Sequence, residues 1–354
     1  MTEAMMRGDH VWSGMLVGTI ATAMAFTVDG ASPGPSGIYP APGEPWIVYQ
    51  GGETIEGAWP IRLVRLDGSG DHVLQLGDLP GYDQGHPAWS PNGERIAFDL
   101  FTHLEGSPDR VSIWSVDPDG GHPMQLATCA SPCLELAYPA WSPDGREIAL
   151  SRYDFEADGT WGPSAIEVLD LASGDRRVMT VTANGTSAVY TPRWSPDGSA
   201  IVFVIETYTD ATEETVTSSV IASIPTDGST STPTVLTSID SVADAPDWGP
   251  DGHIALARFD SIKGRPESGT IATIASDGSD VRVFGRADSG LVVATEPTWT
   301  SDGRLLVGTG DPATGTQWLA WMHPETGQAE RLPWDLVTAT PGNQRTHHHL
   351  RPEG

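Results

Sequence analysis

Short apolar runs separated by Gly, Pro, Asp and Ser, with no helical periodicity, mark this chain as one of strands and turns. The runs repeat. The stretch 138–150, YPAWSPDGREIAL, returns as HPAWSPNGERIAF at 86–98, TPRWSPDGSAIVF at 191–203, APDWGPDGHIAL at 245–256 and EPTWTSDGRLLV at 296–307. Their tryptophans, Trp89, Trp141, Trp194, Trp248 and Trp299, recur every 51 to 54 residues. Each copy predicts an extended segment, a tight turn and a β-branched strand. In Ser142-Pro143-Asp144-Gly145, Pro suits the second position of a type I turn, Asp the third, and Gly the closing one.

The rest of each period supplies an alternating strand ending in an acidic turn, as at 113–116 before Asp117-Pro118-Asp119-Gly120. A short fourth strand follows, as at 124–126. Four short strands in a period of about 50 residues describe one blade of a β-propeller. A tryptophan at the same place in five copies predicts five equivalent packing sites between blades rather than a ligand cage.

The element W-S-P-D-G-x-x-I-A-F followed by I-x-x-x-D-x-D-G resembles the PD40, or WD40-like, repeats of TolB-type β-propellers. The resemblance runs from about 86 to 307, with Gly249 in place of Ser in the fourth copy and Thr300-Ser301 in place of Ser-Pro in the fifth. It implies an all-β propeller of four-stranded antiparallel blades, and the five copies counted with one further blade at the start of the chain make it six-bladed. TolB proteins also carry a small α/β domain before the propeller, for which this sequence has no counterpart. Residues 38–80 read as a degenerate first blade, in which Tyr39-Pro40-Ala41 echoes Tyr138-Pro139-Ala140 but Pro42 replaces the tryptophan. The ring closes through 36–41 or through 336–340, and the echo favours the former. The propeller is therefore expected over 38–336, with 337–354 as a flexible tail.

Residues 1–37 stand outside the repeat. The apolar run 15–26 is short for a bilayer span and is followed by Gly, Ser and Pro, so it reads as an export signal or a marginal membrane anchor. An extracellular or cell-envelope location is expected. Of 354 residues 19 are basic and 47 acidic, giving a formal charge of -28. That balance disfavours nucleic acid and anionic membrane surfaces and leaves cationic partners open, beside the plain benefit of a soluble acidic surface. The only two cysteines, Cys129 and Cys133, are expected to form a local disulfide in an exported chain.

The sequence contains no G-x-S-x-G elbow, H-E-x-x-H or phosphate-cradling glycine loop. A non-enzymatic monomer that binds a protein, peptide or glycan, with no cofactor, is therefore favoured. The alternative is a propeller hydrolase or lyase acting on a polysaccharide or peptide. Binding residues are sought in the links that lead into each tryptophan: Tyr82, Asp83, His86, Tyr138, Arg193, Asp240, Asp244, Asp247 and Glu296. Asp240, Asp244, Asp247 and Glu296 are expected to gather in one sector of one mouth, where a cationic ligand would relieve their repulsion. Asp154, Glu156 and Asp158 imitate half of a calcium loop, which makes structural Ca2+ a candidate, but with the second half of the loop missing a solvated hairpin tip is favoured. His347, His348 and His349 are read as part of the tail.

Overall fold

The computed structural model describes residues 39–41, 43–51, 60–77, 79, 83–102, 110–209, 216–238, 242–259, 269–285, 290–291, 293–311, 314, 316–336 and 348–352. The segment read as an export signal lies outside them. Strands and turns make up the described residues, and no helix among them is long and apolar enough to cross a membrane.

The strands form two four-stranded and two eight-stranded sheets. Each eight-stranded sheet consists of two antiparallel four-strand units joined at a single parallel pair, Val111 opposite Glu135 in one and Ser219 opposite Val242 in the other. The chain is thus a succession of four-strand units, and the hydrophobic cores lie between them. Trp46, Val48 and Leu63 of the first unit pack with Trp89, Ile96 and Phe98 of the next. Ala140, Ala149 and Ile166 pack in the same way with Trp194, Ile201 and Phe203. A strand whose two faces both meet neighbouring units must be apolar on both, which explains runs such as Ile96-Ala97-Phe98.

The S-P-D-G turns have the anticipated form. The amide of each closing glycine donates to the carbonyl three residues earlier, for example Gly145 to Ser142 at 2.9 Å and Gly198 to Ser195 at 2.9 Å. These glycines have φ between 66° and 87°, in the left-handed region that a Cβ disfavours. The serine hydroxyl adds a brace. Ser142 Oγ donates to Asp144 at 2.7 Å and accepts the Glu147 amide at 2.9 Å.

Two expectations are corrected at the ends of the chain. The first unit takes its innermost strand from the C-terminus: His348–Leu350 pairs antiparallel with Trp46–Gln50, with Leu350 opposite Ile47 and His348 opposite Tyr49. That place, expected for 36–41 or 336–340, is taken by residues read as tail: 348–350 are built into the sheet, and the Arg351 amide continues the pairing. Packing agrees with this closure. Ile47, Tyr49 and Val64 share a core with Leu306, Leu319 and Leu332 of the last unit, and Trp334 Nε1 donates to the Leu66 carbonyl at 3.0 Å.

Candidate functional site

Five residues define the axis of the molecule. His86, Tyr138, Thr191, Ala245 and Glu296 stand immediately before the proline of each repeat, and all five have φ between 46° and 57°. At each the pairing of the innermost strand with its neighbour shifts register, between Gly85 and Ala88, Ala137 and Ala140, Tyr190 and Arg193, Asp244 and Asp247, and Thr295 and Thr298. A bulge of this kind bends the strand and re-aims the side chain. Here it turns five side chains inward, where with His348 they line a chamber of about 40 Å³.

One step further along the same strands stand Ala88, Ala140, Arg193, Asp247 and Thr298, and the ladder places Leu350 in the corresponding position of the first unit. The next step is the tryptophan. Arg351 takes its place in the first unit, its amide donating to the Trp46 carbonyl at 2.7 Å. These outer layers open into a cavity of about 250 Å³ on the side of the S-P-D-G turns, walled by all five repeat tryptophans and by Pro91, Pro143 and Pro196. Arg193 lines both cavities.

The tryptophans join units as well as lining the mouth. Trp194 Nε1 donates to the Ala140 carbonyl at 3.0 Å, and Trp141 Nε1 to that of Ala88 at 3.3 Å. Their faces on the mouth are what sequence reasoning missed, although the recurrence of the residue was the available signal. Gly249, the departure from serine in the fourth copy, is explained here: a Cβ on it would meet Trp299 Cε2 at 2.7 Å.

Charge is concentrated in the channel. Asp247 Oδ2 accepts the Trp299 amide at 2.6 Å, and its other oxygen lies 3.9 Å from Arg193. Burial pushes the Asp247 carboxyl up to about 6 against the pull of Arg193. Burial, with Asp244 adding to it, pushes Glu296 up to about 8, and Arg193 only partly offsets this. His348 Nδ1 lies 3.9 Å from Glu296. His349 accepts the Trp89 amide at 3.2 Å, and burial and then Arg193 lower it to about 3. On the opposite wall His86 Nδ1 donates to Asp99 Oδ2 at 2.6 Å, and the same oxygen accepts the Tyr138 amide at 3.1 Å. The His86 and Tyr138 rings lie 3.8 Å apart between centroids.

Of the nine residues proposed from the sequence, His86, Tyr138, Arg193 and Glu296 line the chamber, and Asp247 lines the mouth together with Arg193. Asp244 is buried beside Glu296, close enough to raise it. Tyr82 and Asp240 lie outside the described residues, and of Asp83 only the backbone is described. Of the acids expected to gather in one sector of one mouth, Asp247 lines the mouth and Glu296 the chamber, both near Arg193, while Asp244 is buried beside Glu296 and Asp240 lies outside the described residues. His348 and His349, read as tail, are channel residues.

The three acids of the half calcium loop do not converge. Asp154 faces Arg152 at 3.1 Å, while Asp158 turns back on the amide and hydroxyl of Thr160 at 3.1 and 2.7 Å. Among the described residues no group of three His, Cys, Asp or Glu could hold a metal ion. Cys129 and Cys133 are joined by a disulfide with Cα atoms 5.6 Å apart.

No protein-family model matches the chain. Over 113 residues it is 34% identical to an uncharacterized protein of Agrobacterium fabrum, covering 30% of this chain and 36% of that one. Over 89 residues it is 36% identical to the Tol-Pal system protein TolB of Rhizorhabdus wittichii, covering 25% and 18% respectively. The chain thus matches between 18% and 36% of the length of these relatives. Among solved structures, TolB from Acinetobacter baumannii superposes with a TM-score of 0.61 at 18% identity, over 89% of this chain and 68% of that one. A puromycin-hydrolyzing peptidase of Mycobacterium tuberculosis gives 0.54 at 14% identity, over 83% and 46%. An oligogalacturonate lyase of Vibrio parahaemolyticus gives 0.51 at 13%, over 85% and 84%. At these identities the structural likeness concerns the fold alone.

Proposed function

We propose, for a chain that belongs to the TolB-like β-propellers by its fold and by the sequence of its repeats, that it is an exported, non-enzymatic binding protein of the cell envelope. Its four-strand units are six blades, residues 1–37 direct export, and the ligand is a segment of a protein or peptide seated at the turn-side mouth. The observation that carries this reading is the mouth itself: tryptophan and proline faces in a concave site of about 250 Å³, with Arg193 and Asp247 at its base. Rigid aromatic and proline walls present apolar area at low entropic cost, and one cation and one anion at the base orient a polar chain. The Tol-Pal name of a relative adds weight to an envelope protein as partner.

The experiment is selection of short peptides on the immobilised full chain from a random display library. Recovery of binders that compete with one another for a single site supports the reading. Failure to enrich any sequence contradicts it.

A second reading, a hydrolase or lyase on a polysaccharide or peptide, draws on the His86–Asp99 pair in the channel, with Nδ1 held at 2.6 Å from the carboxylate. Such a pairing orients an imidazole for proton transfer. Turnover of a polysaccharide and peptide panel that disappears in His86→Ala would establish it.

A further inference from the structure

The chamber behind the mouth is small and polar. Its volume of about 40 Å³ accommodates one guest the size of a water molecule. Thr191 lines it, is only 6% exposed, and its Oγ1 has no hydrogen-bond partner among the described residues. A buried hydroxyl left in that state costs stability unless a guest satisfies it. Asp247 and Glu296 lie near one guanidinium, that of Arg193, and Asp244 lies near Glu296, so acidic side chains outnumber the one arginine. The adjoining rings of His86 and Tyr138, tilted 37° to each other, form another wall, and aromatic faces attract cations. An anionic guest would meet Glu296, and a guanidinium or quaternary ammonium is too large for the space.

We infer that this chamber receives a primary ammonium group, held by the Glu296 carboxylate and the Thr191 hydroxyl beside the rings of His86 and Tyr138. The inference rests on the mouth reading, in which the ammonium belongs to a lysine side chain or the N-terminus of the docked segment. A free ammonium ion has the same chemistry and is the other source.

Glu296 faces Asp244, Arg193 and His348 from neighbouring strands, and His86 and Tyr138 across the chamber. With its carboxyl raised to about 8, mainly by burial, Glu296 is protonated at neutral pH while the chamber is empty. An arriving ammonium therefore expels one proton, and binding strengthens with pH until Glu296 is fully ionised.

The test uses the full chain and n-butylammonium as probe, by calorimetry in two buffers of different ionisation heat. Tetramethylammonium and ammonium chloride serve as controls. Wild-type protein is expected to release a proton on binding n-butylammonium at pH 7, with affinity rising about tenfold between pH 7 and pH 9. Glu296→Gln should abolish binding and proton release, and Thr191→Val should weaken binding several-fold. Tighter binding of n-butylammonium than of ammonium ion supports a ligand's head group as the source; equal binding supports the free ion in the same chamber. The inference is overturned if neither amine binds, if tetramethylammonium binds as well as n-butylammonium, or if affinity is independent of pH. Because peptide selection does not depend on small amines, either reading can fail without the other.

Discussion

Arg351 reaches back across the ring to Gly93, its Nε and Nη2 donating to that carbonyl at 3.0 and 2.7 Å. It lies beside the Trp89 ring, with its guanidinium carbon 5.3 Å from the ring centroid, and its third nitrogen donates to the carbonyl of Ala41. A Cβ on Gly93 would lie 2.6 Å from Arg351 Nε, so the glycine serves this contact as well as its turn. One side chain thus ties the last strand of the chain to the second unit and to the segment before Trp46. Arg351→Ala removes several charge-assisted hydrogen bonds and leaves the buried Gly93 carbonyl without these donors, a loss of about 2–4 kcal/mol. A lowered melting temperature, with the mouth-binding peptides also weakened, is the expected result by calorimetry.

Stability should fall as pH rises from 6.5 to 8. The folded-state pKa of Glu296 is raised to about 8, so the stability associated with its protonated form is present below the unfolded pKa and lost as pH rises through the folded one. Asp247, raised to about 6, acts in the same direction at lower pH. His349, lowered to about 3, acts oppositely, because the unfolded chain binds its proton below 6.5. Above 6.5 only the Glu296 effect remains of these three. Melting curves should drop by a few degrees across that interval in wild type and stay level in Glu296→Gln.

Gly85 is required by Asp99. A Cβ at Gly85 would approach Asp99 Oδ1 to 2.3 Å, in the place where this carboxylate holds the His86 imidazole and the Tyr138 amide. Gly85→Ala is expected to displace Asp99 and lower stability by about 1–3 kcal/mol, while Asp99→Asn keeps the size and loses the charge-assisted bonds. Denaturant unfolding of the two variants separates the steric from the electrostatic part.

The left-handed residues carry strain that glycine would relieve. Ala245, at φ 46°, makes no use of its methyl beyond lining the chamber. The cost of that conformation for an L-residue is about 1–2 kcal/mol, against about 0.5–1 kcal/mol of extra unfolded-state entropy for glycine. Ala245→Gly should therefore be neutral or stabilising by up to about 1 kcal/mol in chemical unfolding. A substantial destabilisation would mean that the methyl is a packing contact.

The repeat was legible because its turn demands particular residues: Pro and Asp for the turn, Gly for a positive φ, and Trp for the next interface. The residues before the prolines were legible only in part: the links into the tryptophans pointed to His86, Tyr138 and Glu296 but passed over Thr191 and Ala245. Those side chains are free of the turn's requirements and face the channel. Closure by His348–Leu350 was not legible. Three residues with no turn signal pair with Trp46–Gln50 only through a contact some 300 residues distant in sequence, and no local pattern records such a partner. The half calcium loop misled because its acids are assigned by neighbours: Arg152 holds Asp154, and Thr160 occupies Asp158. The mouth was hidden because a recurring tryptophan signals packing whether or not one face of the ring meets solvent.

The claim that the turn-side mouth is the binding site is tested most directly by the affinity of a selected peptide for Trp299→Leu. Trp299 lines the mouth, and its Nε1 has no hydrogen-bond partner among the described residues, so leucine keeps the apolar contact without sacrificing a bond from that nitrogen. Calorimetric titration should show affinity reduced at least about tenfold, the range expected for an aromatic anchor, in protein that still unfolds in one cooperative transition at a melting temperature lowered by the lost packing. Undiminished affinity in Trp299→Leu for every selected peptide would place the binding site elsewhere and contradict the account.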